Sequence, residues 1–178
     1  MNLKFIPLFL LCASPLLGQQ VNMKSITEKI PTYQIGSPEI DPIFFTGRVY
    51  QGAEGYIYPY PLYDVLTEKK TEQEYNVLRL DNQYVDISIL PEIGGRIFAA
   101  ADKTNNYPFF YTQTGVKPAL IGMLGAWLSG GVEWNIPDHH RASSYMPINW
   151  TMKENKDGSK TIWVGETELR HRLKWSVG

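Results

Sequence analysis

The 178-residue chain holds one cysteine and three histidines. Its longest apolar run is too short to span a bilayer as a helix. The lone Cys12 lies near the amino terminus, so once a leader is removed the rest has no disulfide and no thiol nucleophile. Charge of neither sign dominates: 17 Lys and Arg face 18 Asp and Glu, a net charge of −1. No basic stripe is available to track a nucleic-acid backbone, so nucleic acid is excluded as a partner. No His-x-x-x-His spacing occurs, and no metal is expected. The "GGRIFA" stretch lacks a strand, glycine loop and helix in series, so no nucleotide cofactor is expected either. Internal repeats and low-complexity segments are missing.

What is there suits one folded domain. Hydrophobic residues make up 43% and charged residues 20%, enough apolar text for a core. Aromatics are abundant, with five Trp, eleven Tyr and seven Phe. Such rings fill cores and pair across strands, and they also stack on the C–H faces of sugars. Composition leaves both uses open. The opening "MNLKFIPLFLLCASPLLGQQ" has a Lys, a short apolar centre and then small and polar residues. That is a secretory signal over residues 1–19, which places the protein in the periplasm or outside the cell. Leu11 stands before Cys12 where a lipid-anchor signal wants a small residue, so a lipoprotein is the lesser alternative.

Residues 20–46 read as an irregular, extended leader, because Pro31, Pro38 and Pro42 lack amide donors. Pro59 and Pro61 mark an edge strand or extended piece. From residue 47 to 178 the text is all-β and mainly antiparallel. "YNVLRL", the turn "DNQY" and the alternating "VDISIL" form two strands, and "RIFAAAD" resumes after a corner at Gly94-Gly95. "PALIGMLGAWLS" is the one segment with helical potential, short or broken at Gly122 and Gly125. "INWTMKENKDGSKTIWVG" is a hairpin turning on Asp157-Gly158. "TELRHRLKWSV" reads as one strand, with Leu169, His171, Leu173 and Trp175 on one face and Arg170, Arg172 and Lys174 on a wet cationic face. His171 then reads as a satisfied core or rim histidine. The text stops on an open strand, which implies a sheet continued beyond residue 178.

The densest chemistry is "GGVEWNIPDHHRA", residues 130–142. His139 or His140 offers an imidazole that gives or takes a proton near neutral pH. Glu133 and Asp138 offer carboxylates to act as base or to orient that imidazole. Sugar ring opening needs one group at the anomeric hydroxyl and another at the ring oxygen, and glycoside hydrolysis needs two carboxyls. Glu133, Asp138, His139 and His140 are therefore the candidate catalytic residues. Arg96 and Arg141 are candidate fork donors to a substrate, and Trp127 and Trp134 candidate stacking platforms. The competing reading is a crowded polar turn, with Arg96 pairing to Glu92 or Asp102 at the surface and the indoles in the core.

Four stretches in order, "RVYQGAEGYIYPYPLYD", "LPEIGGRIFAAADKTNNYPFFY", "VKPALIGMLGAWLSGGVEWNIPDHHR" and "NKDGSKTIWVGE", resemble the secreted bacterial domain of unknown function family 5107. Its members are often long, with tetratricopeptide repeats after this domain. That family in turn resembles the galactose mutarotase-like superfamily. The resemblance implies a partial β-supersandwich, truncated at its C-terminus, and a carbohydrate ligand to be processed or simply bound. In sugar epimerases of that superfamily the catalytic carboxylate comes late, beyond the portion this chain resembles.

Overall fold

The computed structural model describes residues 20–39, 43–44, 57–122, 124–137 and 140–178, with backbone alone for 43–44 and 57–58. Residues 1–19, where a secretory signal is expected, and most of residues 40–56 lie outside the described residues. Among the described residues every regular element is a strand: β1 Asn22–Ile35, β2 Ile43–Phe44, β3 Ile57–Tyr58, β4 Leu66–Asp81, β5 Val85–Leu90, β6 Arg96–Asp102, β7 Tyr107–Pro108, β8 Ala119–Ile121, β9 Gly125–Trp127, β10 Asn149–Glu154, β11 Lys160–Glu168 and β12 Leu173–Val177. The named strand pairs are antiparallel. The fold class read from the sequence, all-β and antiparallel, is the one observed.

Five strands form one sheet in the order β1-β4-β5-β6-β7, and a second sheet runs β10-β11-β12. The five-stranded sheet is apolar on both faces. Val77 and Leu90 point to one side, into a core with Ile30, Tyr75, Ile93, Val116 and Leu128. Their neighbours Leu78 and Ile89 point to the other, against Ile162, Val164 and Trp175 of the second sheet and Ile148 just before it. Side chains alternate along a strand, so adjacent apolar residues in β4 and β5 serve two opposed cores. The second core joins two sheets face to face, a sandwich arrangement.

Three local expectations change. Residues 22–35 are not an irregular leader: β1 pairs with β4 from Asn22 opposite Asp81 to Tyr33 opposite Lys70, with Pro31 inside the ladder. Pro31 is tolerated because β1 is an edge strand, where a missing N–H breaks no inner pairing. The segment with helical potential is instead the hairpin of β8 and β9. Gly122 and Gly125 sit at φ 48° and 86°, which no right-handed helix accommodates. The last run is not one strand, because residues 169–172 turn between β11 and β12, with Arg172 at φ 54°. The cationic face changes with it: Arg172 and Lys174 are exposed, but the Arg170 side chain is only 7% exposed and its Nε bonds Glu168 Oε1 at 2.6 Å.

Candidate functional site

Residues 128–137 are built onto the free side of the first strand residues of β6. Gly131, at φ 65°, lies against the Ile97 carbonyl where a side chain has no room. Val132 then bridges Ile97, donating its N–H at 2.8 Å and accepting from Ile97 N–H at 3.1 Å. Arg96, 3% exposed, turns its guanidinium inward and donates to the carbonyls of Leu128 and Gly130. The surface pairing of Arg96 with Glu92 or Asp102 is corrected by this burial. Those carboxylates are engaged elsewhere, Glu92 by the Asn76 N–H and Asp102 by Thr104.

Arg141 closes the loop from its other end. The residue is 1% exposed. Its Nε donates to the Trp134 carbonyl at 2.7 Å, one terminal nitrogen donates to the Gly94 carbonyl at 2.8 Å, and the other meets Glu166 Oε1 at 2.7 Å. The guanidinium lies 4.5 Å from the centre of the Trp175 ring. Burial pulls both arginine pKa values down, Arg96 against the pull of Glu133 and Arg141 against that of Glu166. A guanidinium starts so high that both stay charged. As placed, the terminal nitrogens of both forks bond protein oxygens, Arg96 Nε is buried without an acceptor among the described residues, and neither fork is presented to solvent.

Between these clamps sits the carboxylate of Glu133, 11% exposed. Its Oε2 accepts the Trp127 indole N–H at 2.9 Å and faces His140 Nδ1 at 2.8 Å. The Trp127 and His140 rings meet edge to face, 5.2 Å apart at 72°. Glu133 and His140, one on each side of Ile136-Pro137, therefore converge. Glu133 Oε1 is buried without a donor among the described residues. Asp138 and His139 lie outside the described residues. Trp134 does not join the group: its indole N–H bonds the Gly95 carbonyl at 2.8 Å and its ring packs on the core between the two sheets.

Chemically, a carboxylate that faces Nδ1 fixes the imidazole tautomer and leaves Nε2 as the working nitrogen. Such a pair is a proton donor or acceptor according to its charge state. Among the described residues no cluster of three His, Cys, Asp or Glu side chains has the spacing of a metal site.

Sequence reasoning missed the second layer of acids. Glu166 holds Arg141 and accepts from the Ser143 hydroxyl. Glu168, fully buried, holds Arg170 and His171. Tyr60 accepts the Leu169 N–H at 2.7 Å, and burial pushes its hydroxyl up to about 12. One signal was available: Glu166 and Glu168 fall in step with the inward Ile162 and Val164 of β11, and acids on a buried strand face call for cations.

The fold is similar to that of a solved TPR-domain containing protein from Parabacteroides distasonis, at a TM-score of 0.67 and 18% identity. The match covers 89% of this chain and 27% of that one, so the chain spans about a quarter of that protein. Among the described residues no helix is long and apolar enough to cross a membrane. The family model for the domain of unknown function DUF5107 matches residues 53–178, and the chain belongs to that family.

Proposed function

We propose that this chain is a carbohydrate-processing domain of a secreted bacterial protein, with His140 as proton donor or acceptor and Glu133 as its orienting carboxylate. The observation that carries the reading is the 2.8 Å contact between His140 Nδ1 and a Glu133 oxygen that also holds the Trp127 indole. A fixed imidazole beside an aromatic edge suits a sugar, which offers hydroxyl and ring oxygens for proton transfer and C–H faces for contact. Asp138 and His139, in the same short segment, are the proposed further acid and imidazole. Arg96 and Arg141 act as positioning residues, since their forks hold the carbonyls of the loop that carries Glu133 and His140. Residues 1–19 are proposed as a secretory signal that sends the protein to the periplasm or the exterior, and tetratricopeptide repeats are proposed to follow the domain in the longer protein.

The test is incubation of the protein with a panel of oligosaccharides and free aldoses, following reducing ends and anomeric proton signals. Turnover that disappears in Glu133→Gln, with the thermal melt unchanged, is the expected result. An unfolded Glu133→Gln makes that residue structural and removes the assignment.

A second reading, a glycan-binding module without catalysis, has its own observation. A groove of about 390 Å³ crosses the outer face of the second sheet. Trp163, 40% exposed, lies beside Gly165, and Asn149, Thr151, Thr167 and Ser176 supply polar edges. Glycan binding without turnover that is lost in Trp163→Ala favours this module.

A further inference from the structure

A second cavity, of about 500 Å³, lies apart from the Glu133 and His140 pair. Its walls are the carboxyl end of β1, the middle of β4, the turn after β5 and the loop at Tyr145 and Pro147. Its polar lining has a definite hydrogen-bond polarity. Thr32 Oγ1 donates its only proton to the Ile30 carbonyl at 2.9 Å. The 3.1 Å contact between Thr32 Oγ1 and Tyr75 Oη must then be donated by the tyrosine. Tyr75 Oη is left with lone pairs and no proton to give.

Glu92, on the same wall, is also an acceptor. Its Oε1 takes the Asn76 N–H at 2.9 Å, while Oε2 is buried without a donor. Among the described residues it forms no salt bridge, whereas Glu133, Glu166 and Glu168 each have a basic partner. Lys70 and Lys117 sit over the Tyr33 ring, and Lys117 is already paired with Glu68 at 3.5 Å. Tyr33 also lines the cavity, so both lysines lie near one wall, held over that ring and not paired with Glu92.

A half-buried carboxylate without a cation, beside a proton-poor hydroxyl and the rings of Tyr63 and Tyr145, is complementary to a positively charged donor. We infer that this cavity binds the ammonium group of an amine-bearing ligand, with Glu92 as counter-ion and the Tyr75 hydroxyl oxygen as second acceptor. The terminal carboxylate torsion is soft, but turning Oε2 toward the cavity moves Oε1 off the Asn76 N–H, so the ammonium contact replaces that bond. Burial keeps the Tyr145 hydroxyl protonated and neutral, which suits a wall that solvates a cation without competing for it.

The probe is n-butylammonium, with n-butanol as its uncharged counterpart and D-galactose as a neutral sugar. Saturation-transfer NMR on the whole chain reads binding of each. The expected result is transfer to butylammonium, weakened at least tenfold in Glu92→Gln and severalfold in Tyr75→Phe, and unchanged in Glu133→Gln. Raised salt weakens it further. Where Glu92→Gln lacks a cooperative melt, Tyr75→Phe and the butanol comparison decide. The inference is overturned if butylammonium shows no transfer, if butanol or galactose binds this cavity equally well, or if Glu92→Gln binds like the parent. Loss in Glu133→Gln but not in Glu92→Gln would overturn it while leaving the Glu133 and His140 site intact.

Discussion

Arg141 and Glu166 form a buried ion pair 2.7 Å apart, with side chains 1% and 12% exposed, across the junction between the candidate-site loop and β11. Removing one partner of such a pair strands the other charge away from water. Arg141→Ala is expected to cost about 3 to 5 kcal/mol of stability. Urea unfolding measures it, and Arg141→Ala combined with Glu166→Gln should cost less than the sum of the two single changes. Additive losses would mean that the pair is not coupled.

Arg96→Lys tests the second clamp. A lysine keeps the charge but lacks the planar fork that reaches Leu128 and Gly130 together. At least one buried carbonyl then loses its donor, at a cost of roughly 1 to 3 kcal/mol. A melt equal to the parent protein would show that the loop is held by Val132 and Gly131 alone.

Glu168 predicts a response to acid. Burial pushes its carboxyl up, but the bond from Arg170, the His171 backbone N–H and the adjacent charge together bring it below its ordinary value of 4.5. A carboxyl depressed on folding contributes stability that is complete above its unfolded value and lost as pH falls through the folded one. Melting temperature should therefore drop below about pH 4.5, and Glu168→Gln should flatten that part of the curve while lowering the plateau. His171→Ala, which removes one of its partners, should cost stability rather than turnover.

Two glycines give opposite expectations. Gly131 is at φ 65° with the Ile97 carbonyl against the position of any Cβ, so Gly131→Ala should destabilise by roughly 2 to 5 kcal/mol. Gly158 is at φ 84° with nothing within 4 Å. Asparagine accepts that backbone region, so Gly158→Asn should stay within about 0.5 kcal/mol. Thermal melts of the two variants settle the comparison.

The strands were legible where one local rule ruled. Val85, Ile87 and Ile89 announce β5 by alternation, and Asp157-Gly158 announces the hairpin of β10 and β11. The convergence of Glu133 with His140 followed from a short segment bent at Pro137. The rest depends on distant partners. Pro31 looks like a ladder breaker until β4 supplies the neighbour that makes β1 an edge strand. Arg96 and Arg141 look like ligand forks until carbonyls 32 and 47 positions away occupy them. Glu92 gave no local sign of standing without a cation, because that depends on what other strands fail to bring near it.

The β1 strand has one more implication. It is laid down along most of β4, and Val116 caps only its outer edge near Thr32. A chain trimmed past Ile35 would strip β4 of this neighbour and leave an unsatisfied backbone rail beside an apolar core. That rail would then pair with any other free edge, so loss of β1 would favour edge-to-edge association over monomers.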